Sequence, residues 1–249
     1  MKITRIDVLT LFPDYFIGPF TTSMVKRAVE KKRVDLRVQD LRNWTDDKRK
    51  TADDVLYGGG AGMVLKPEPL ARAIRALKGR RKTTVILTSP QGKPFNHDLA
   101  VKLSKEKSLL LICGHYEGID ERILRKYVDL EVSLGDFVMT GGEPAAAAMV
   151  DAVVRLYPGV VGDARSVERD SHVGGLLDHP HYTRPRVFEK MKVPDVLLSG
   201  HHRDIERWRR KEALRATKNK RPDLLERAVL NPEDRVLLRE LTEEVEEKS

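Results

Sequence analysis

The sequence predicts an α/β fold, a mainly parallel sheet with helices on both faces, followed by a small C-terminal helical domain. Short apolar runs alternate with helical patterns over the first 160 residues, two of those runs open directly into glycine-rich loops, and the rest of the chain is charged and helical in pattern.

Ile3 to Leu11 alternates enough for a strand, and Phe12-Pro13-Asp14 breaks it ahead of a helical stretch reaching Val29. Val34 to Val38 reads as a second strand. Val85, Ile86, Leu87 and Thr88 form a third, stopped by Ser89-Pro90-Gln91-Gly92, and His97 to Ser104 reads as a helix. Leu109, Leu110, Leu111, Ile112 and Cys113 are apolar at every position, as in a strand covered on both faces. That run opens into Gly114, His115, Tyr116, Glu117 and Gly118. A second strand-like run, Val132 to Met139, opens into Thr140, Gly141, Gly142 and Glu143. Pro144 to Tyr157 reads as a helix, with proline in its first turn and Pro158-Gly159 past its end. Residues 159–175 are polar and carry no periodicity, which suggests a mobile linker. Asp204 to Ala216 is a strongly charged helix, and residues 223–247 supply one or two more.

A chain of 249 residues accommodates one large domain or two small ones, and this organisation favours two: 1–160 and 176–249, joined by a flexible linker at 161–175. The longest apolar stretch is far short of the roughly 20 residues of a membrane span, and Met-Lys-Ile-Thr-Arg lacks a signal-peptide core, so a soluble protein is expected. Cys113 is the only cysteine, which excludes an internal disulfide and a multi-cysteine metal site and fits a reducing cytoplasm.

Charge is unevenly placed. Of 46 Lys and Arg and 38 Asp and Glu, residues 181–222 hold 13 basic and 5 acidic, leaving 33 of each sign elsewhere. Residues 223–249 then carry 9 acidic against 4 basic. A basic block in an otherwise neutral protein is either the footprint of nucleic-acid binding or a solvated helix face, and composition weighs the two evenly.

Glycines at the carboxyl ends of sheet strands allow backbone amides to approach a ligand, and α/β sheets bind small molecules there. The segment Tyr57-Gly-Gly-Gly-Ala-Gly62 has neither the Lys-Ser/Thr of a P-loop nor the third glycine of a dinucleotide turn. His179, His181, His201 and His202 have no helical spacing suited to a zinc site, so no metal ligands are assigned.

The glycine loops, together with Asp151-Ala-Val-Val-Arg155, Glu168-Arg-Asp-Ser171, Gly175-Leu-Leu-Asp-His-Pro-His-Tyr-Thr-Arg-Pro185 and Ser199-Gly-His-His202, resemble the bacterial tRNA (guanine-N1)-methyltransferase family of SPOUT enzymes. The likeness extends to about Leu214. It implies a deep trefoil knot between about Val85 and Glu143 and a homodimer whose active site is shared between chains. It also implies a first domain that binds S-adenosyl-L-methionine and a helical domain that grips the anticodon arm of tRNA. Carried over by position, the cofactor-binding residues are Ser89, Pro90, Gly114, Tyr116, Glu117, Ser133, Leu134, Gly135, Asp136, Phe137, Val138, Met139, Gly141 and Gly142. Patterning alone would make Leu134, Phe137 and Met139 ordinary core. The same likeness prefers a lid or RNA-facing role for residues 58–63.

The implied reaction moves a methyl group to N1 of the guanosine 3′ of the anticodon, position 37. That nitrogen is protonated at neutral pH, so a base must remove the proton while a cation stabilises charge on O6. The resemblance assigns Asp170 as base and Arg155 as O6 partner. Read alone, Asp170 is a solvated aspartate or a helix cap, and Arg155 pairs with Asp151 one helical turn earlier. His201, His202, Arg203, Arg207, Arg209, Arg210 and Lys211 are the RNA-binding candidates. The resemblance allows magnesium as an assistant, a point the residues leave open. A SPOUT enzyme acting on another RNA position, or a non-catalytic RNA-binding protein, are the competing readings.

Overall fold

The computed structural model describes residues 4–162 and 170–246, in two compact units, Met1–Ala164 and Arg165–Ser249. Much of the expected linker at 161–175, including Glu168 and Arg169, lies outside the described residues.

In chain order the first unit contains β1 (Thr4–Thr10), a single turn α1 (Ile17–Phe20), α2 (Ser23–Glu30), β2 (Val34–Asp40), β3 (Asp53–Val55), β4 (Met63–Leu65) and α3 (Pro67–Lys78). It continues with β5 (Thr84–Pro94), α4 (His97–Ser104), β6 (Ser108–Cys113), α5 (Glu121–Tyr127), β7 (Leu130–Ser133) and α6 (Glu143–Val154). Five strands form one parallel sheet in the order β2-β1-β6-β5-β7. The apolar run of β6 is fully buried because each face meets helices. Leu109, Leu111 and Cys113 share a core with Val25 of α2, Ala100 of α4 and Val150 of α6, whereas Leu110 and Ile112 pack with Ile74 of α3 and Ile123 of α5.

Two strands depart from the expectation. The second strand-like run is strand only as far as Ser133, and residues 134–142 form a loop in which Phe137 and Val138 are 55% and 82% exposed. Its apolar composition does not reflect a buried strand. β5, conversely, does not stop at Ser89. Val132 pairs with both Thr88 and Lys93, and Phe95 N–H donates to the Ser133 carbonyl at 2.7 Å, so β5 flanks β7 twice. The Pro-Gln-Gly turn signal is real, but tertiary pairing resumes beyond it. Gly92 makes this possible, since a Cβ there would stand 2.3 Å from the Val132 nitrogen.

Sequence reading assigned no element to α3 or α5, although Leu70, Ala73, Ile74 and Leu77 lie at helical spacing and are buried behind Pro67 at the first turn. α4 has the expected bounds, and its cap is Asn96, whose side chain accepts from Leu99 N–H at 2.9 Å.

The second unit contains the two-residue strands β8 (Val187–Phe188) and β9 (Met191–Lys192), paired as a hairpin, then α7 (His202–Lys220), α8 (Pro222–Arg227) and α9 (Pro232–Glu246). Leu176, Leu214, Leu237 and Leu241 form its core. Above that core the acidic tail faces the basic helix. Arg210 forks onto Asp234 at 2.7 and 2.8 Å, Lys211 reaches Glu240 and Glu244 at 2.7 Å each, and Arg215 reaches Glu244 at 2.8 Å. Asn231 N–H also donates to Asp234 Oδ2 at 2.9 Å and Asp234 N–H to Asn231 Oδ1 at 2.8 Å, a reciprocal cap that closes the start of α9. The Arg210 guanidinium holds the Asp234 carboxyl below its ordinary range, and Lys211 with Arg215 holds Glu244 at about 2.

Carboxylates depressed in this way stabilise the folded unit fully above their unfolded values, near 3.8 and 4.5, and lose that contribution as pH falls through the folded ones. Asp234→Ala removes both a helix cap and the partner of Arg210. It should lower unfolding free energy by about 2 kcal/mol at neutral pH, with the difference shrinking as pH falls below the ordinary carboxylate range through the depressed folded value of Asp234, measured by urea unfolding of the full chain.

Candidate active site

A cleft of about 420 Å³ opens at the carboxyl ends of β6 and β7 and beside the middle of β5. Three segments line it: 87–91 within β5, where its pairing with β7 shifts, 114–119 after β6, and 134–142 after β7. Every proposed cofactor-binding residue lines this cleft except Asp136, which is exposed outside it. Phe137 and Met139 line its wall as exposed side chains, whereas Leu134 lines it while also packing against the core.

The loops are stitched together by backbone. Gly142 N–H donates to the Gly114 carbonyl at 2.8 Å, and His115 pairs with Gly141 as an isolated bridge. Contact is so close that a Cβ on Gly142 would stand 1.9 Å from Thr88 Oγ1 and 2.9 Å from Gly114 N. A Cβ on Gly141 would meet the His115 and Glu143 side chains, at 2.2 and 2.5 Å. Glycine at 141 is thus set by a histidine and a carboxylate. Neither signalled a role through sequence spacing, although each adjoins a recognised glycine.

Beneath the cleft Cys113 is buried. Burial, with the Glu143 carboxylate nearby, pushes its thiol well above the usual range, so it remains a neutral thiol. On the cleft's other side, Glu117 N–H donates to Met63 O at 3.0 Å and Leu65 N–H to Gly118 O at 3.0 Å, which ties the β3–β4 hairpin to the loop after β6. Residues 56–62 form the hairpin tip, with Tyr57 fully exposed and Gly62 against the Glu117 side chain.

A family model described as tRNA (Guanine-1)-methyltransferase TrmD matches residues 4–227. The chain belongs to the tRNA (guanine-1)-methyltransferase family. Relatives named tRNA (guanine-N(1)-)-methyltransferase align along nearly all of it. That of Dictyoglomus turgidum is 53% identical over 244 residues, 98% of this chain and 99% of its own. That of Brevibacillus brevis is 54% identical over 240 residues, covering 96% and 99%, and that of Syntrophotalea carbinolica 56% over 236 residues, covering 94% and 95%.

The remaining candidates of this methyltransferase belong to other elements. Arg155 is half-buried at the end of α6, its N–H bonded to the Asp151 carbonyl at 3.1 Å. Asp170 belongs to the second unit, half-buried, its carbonyl accepting from Val173 N–H at 3.1 Å. Nearby in sequence, Asp178 accepts from His179 at 2.5 Å and His181 at 2.9 Å. Burial opposes ionisation of Asp178, but these hydrogen bonds outweigh it and hold the carboxyl below its ordinary range. The three side chains offer ligand atoms within 4.8 Å of one another, a grouping that sequence spacing did not suggest.

The RNA candidates divide by geometry. His201, His202 and Arg203 are exposed at the start of α7, whereas Arg207, Arg210 and Lys211 are ion-paired with α9 and Arg209 pairs with Glu206 at 2.7 Å. Part of the basic block is therefore neutralised within its own unit. The exposed hairpin adds Phe188, Lys190, Met191 and Lys192, which sequence reading did not single out.

Proposed function

We propose that this chain transfers a methyl group from S-adenosyl-L-methionine to N1 of the guanosine immediately 3′ of the anticodon, position 37, in tRNA. The observation that carries the reading is the glycine-lined cleft between β5 and the loops that follow β6 and β7, in a chain of this family. Its volume lies in the range of small-molecule sites. Close backbone at residues 114 and 141–142, apolar walls from Leu134, Phe137 and Met139, and the carboxylate of Glu117 suit an adenine, a ribose and a cationic methionine end.

S-adenosyl-L-methionine, when bound, supplies an electrophilic methyl on a sulfonium. Asp170 takes the N1 proton of guanine, and Arg155 stabilises the negative charge that grows on O6. The freed N1 pair forms the new bond to the methyl carbon as the carbon–sulfur bond breaks, and that bond's electrons leave with sulfur as a neutral thioether. The target base must leave its stack to reach the cleft. His201, His202 and Arg203 meet phosphates, with the paired arginines of α7 shaping the surface behind them.

The deep trefoil knot, the division into a donor-binding domain, a linker and a tRNA-binding domain, the homodimer with a shared site, and a cytoplasmic location complete the proposal. Support for the knot comes from the double pairing of β5 with β7. For location, no helix among the described residues is long and apolar enough to cross a membrane. Arg155 and Asp170 lie in different units of the chain, as a site shared between protomers allows. Mixing inactive Arg155→Ala and Asp170→Ala proteins should then restore activity, to at most about a quarter of wild type for random exchange of two subunits. Mixtures as inactive as their components would place both residues from one protomer in each site.

Label from S-adenosyl-L-methionine should enter an unmodified tRNA transcript and be lost when guanosine 37 is replaced by adenosine. Equal label in both transcripts would move the reaction to another position. Binding of donor and tRNA with no label in either would support a non-catalytic protein instead.

A further inference from the structure

Glu143 opens α6, yet its side chain is turned inward and only 4% exposed. The carboxylate is satisfied from two directions. Thr10 Oγ1, at the end of β1, donates to Oε1 at 2.6 Å, and His115 Nε2 donates to Oε2 at 2.9 Å. The Thr10 hydroxyl in turn accepts from Phe12 N–H at 2.8 Å, and the Phe12 ring lies against His115 with centroids 4.7 Å apart. The amino end of α6 adds favourable dipole for an anion at this position. A buried carboxylate so fully engaged is costly to assemble, and one held only for packing would be replaced at no loss by an apolar side chain.

Of these groups only His115 lines the cleft; Thr10 and Glu143 do not. The chain Thr10–Glu143–His115 thus runs from the sheet to the cleft wall. It also occupies the space a side chain at Gly141 would need, at the point where the loops after β6 and β7 meet.

We infer that Glu143, anchored on Thr10, is a positioning residue that locks His115 against Gly141 and so fixes the spacing of the two glycine loops for the methyl donor. This rests on the cleft being the donor site. The lock acts on donor binding and leaves the reacting nitrogen, Asp170 and Arg155 untouched.

The test is calorimetry of the full chain with S-adenosylhomocysteine, the inert product form of the donor, followed by steady-state kinetics. His115→Leu should weaken binding about tenfold, and His115→Gln, whose amide can still donate to Glu143, should stay within about threefold of wild type. Thr10→Val keeps the shape and removes the hydroxyl. It should weaken binding about threefold, and the double variant Thr10→Val/His115→Leu should be no weaker than His115→Leu alone, since both break one chain. KM for the donor should rise in the same order, with kcat at saturating donor and KM for tRNA within about twofold of wild type. A silent Thr10→Val would overturn the inference, because His115 would then act by direct contact alone. Equal losses in His115→Gln and His115→Leu, or losses confined to kcat, would overturn it too. Wild type that binds no donor analogue would instead remove the cleft reading on which it rests.

Discussion

Asp170→Asn should slow the methyl-transfer step by at least about 100-fold while tRNA and donor still bind, the scale expected when a general base is lost. Asparagine preserves the size of the side chain and its ability to hydrogen-bond guanine, but cannot accept the N1 proton. Wild-type rate should rise with pH as the substrate deprotonates. The variant should recover part of its deficit at high pH, where guanine N1 ionises without help. Single-turnover kinetics across pH, with RNA and donor saturating, separate the proton-transfer defect from a binding defect. Near wild-type turnover would remove Asp170 as the base and make Glu117 the next to test.

Gly92→Ala should cost about 4 kcal/mol or more of folding stability, with losses of that size reserved for backbone or core that has no room to move. The obstruction is main chain: a Cβ at residue 92 would lie 2.3 Å from Val132 N and 2.5 Å from the Glu131 carbonyl carbon. Nothing flexible stands there to turn aside. Val132 is held by Thr88 on one side and Lys93 on the other, so relief requires β7 to separate from β5. Gly18→Ala is the control, because a Cβ there meets nothing within 4 Å in α1, and alanine is the better helix former. Urea unfolding of both full-length variants checks the contrast. Equal stability would mean that the β5–β7 crossing is looser than the pairing implies.

The same crossing shows where sequence reading runs out. β6 was legible because Leu109 to Cys113 is apolar at every position and both faces are covered, and α4 was legible at its observed bounds, though the Asn96 cap was not read. Gly92 was read as a stop signal, which it is for any strand considered alone; its need arises from Val132, 40 residues away. Phe137 and Val138 misled in the opposite sense, since apolar residues along a cleft look like part of a strand until the sheet is seen to end at Ser133. For the cleft, the glycines were legible through resemblance, and the cause of Gly141 was not. His115 and Glu143 sit beside recognised glycines, while Thr10 lies 133 residues from Glu143 and has no local signature at all. In the second unit the basic block was visible as composition, but its pairing with the acidic tail depends on α7 and α9 packing through Leu214, Leu237 and Leu241.

The central claim is the chemistry at one atom of one base. Unmodified tRNA incubated with the protein and labelled S-adenosyl-L-methionine, then digested to nucleosides and mapped by mass spectrometry, reports it directly. All label is expected in 1-methylguanosine from position 37. Label in a 2′-O-methylated nucleoside, or in 1-methylguanosine from another position, would contradict the account.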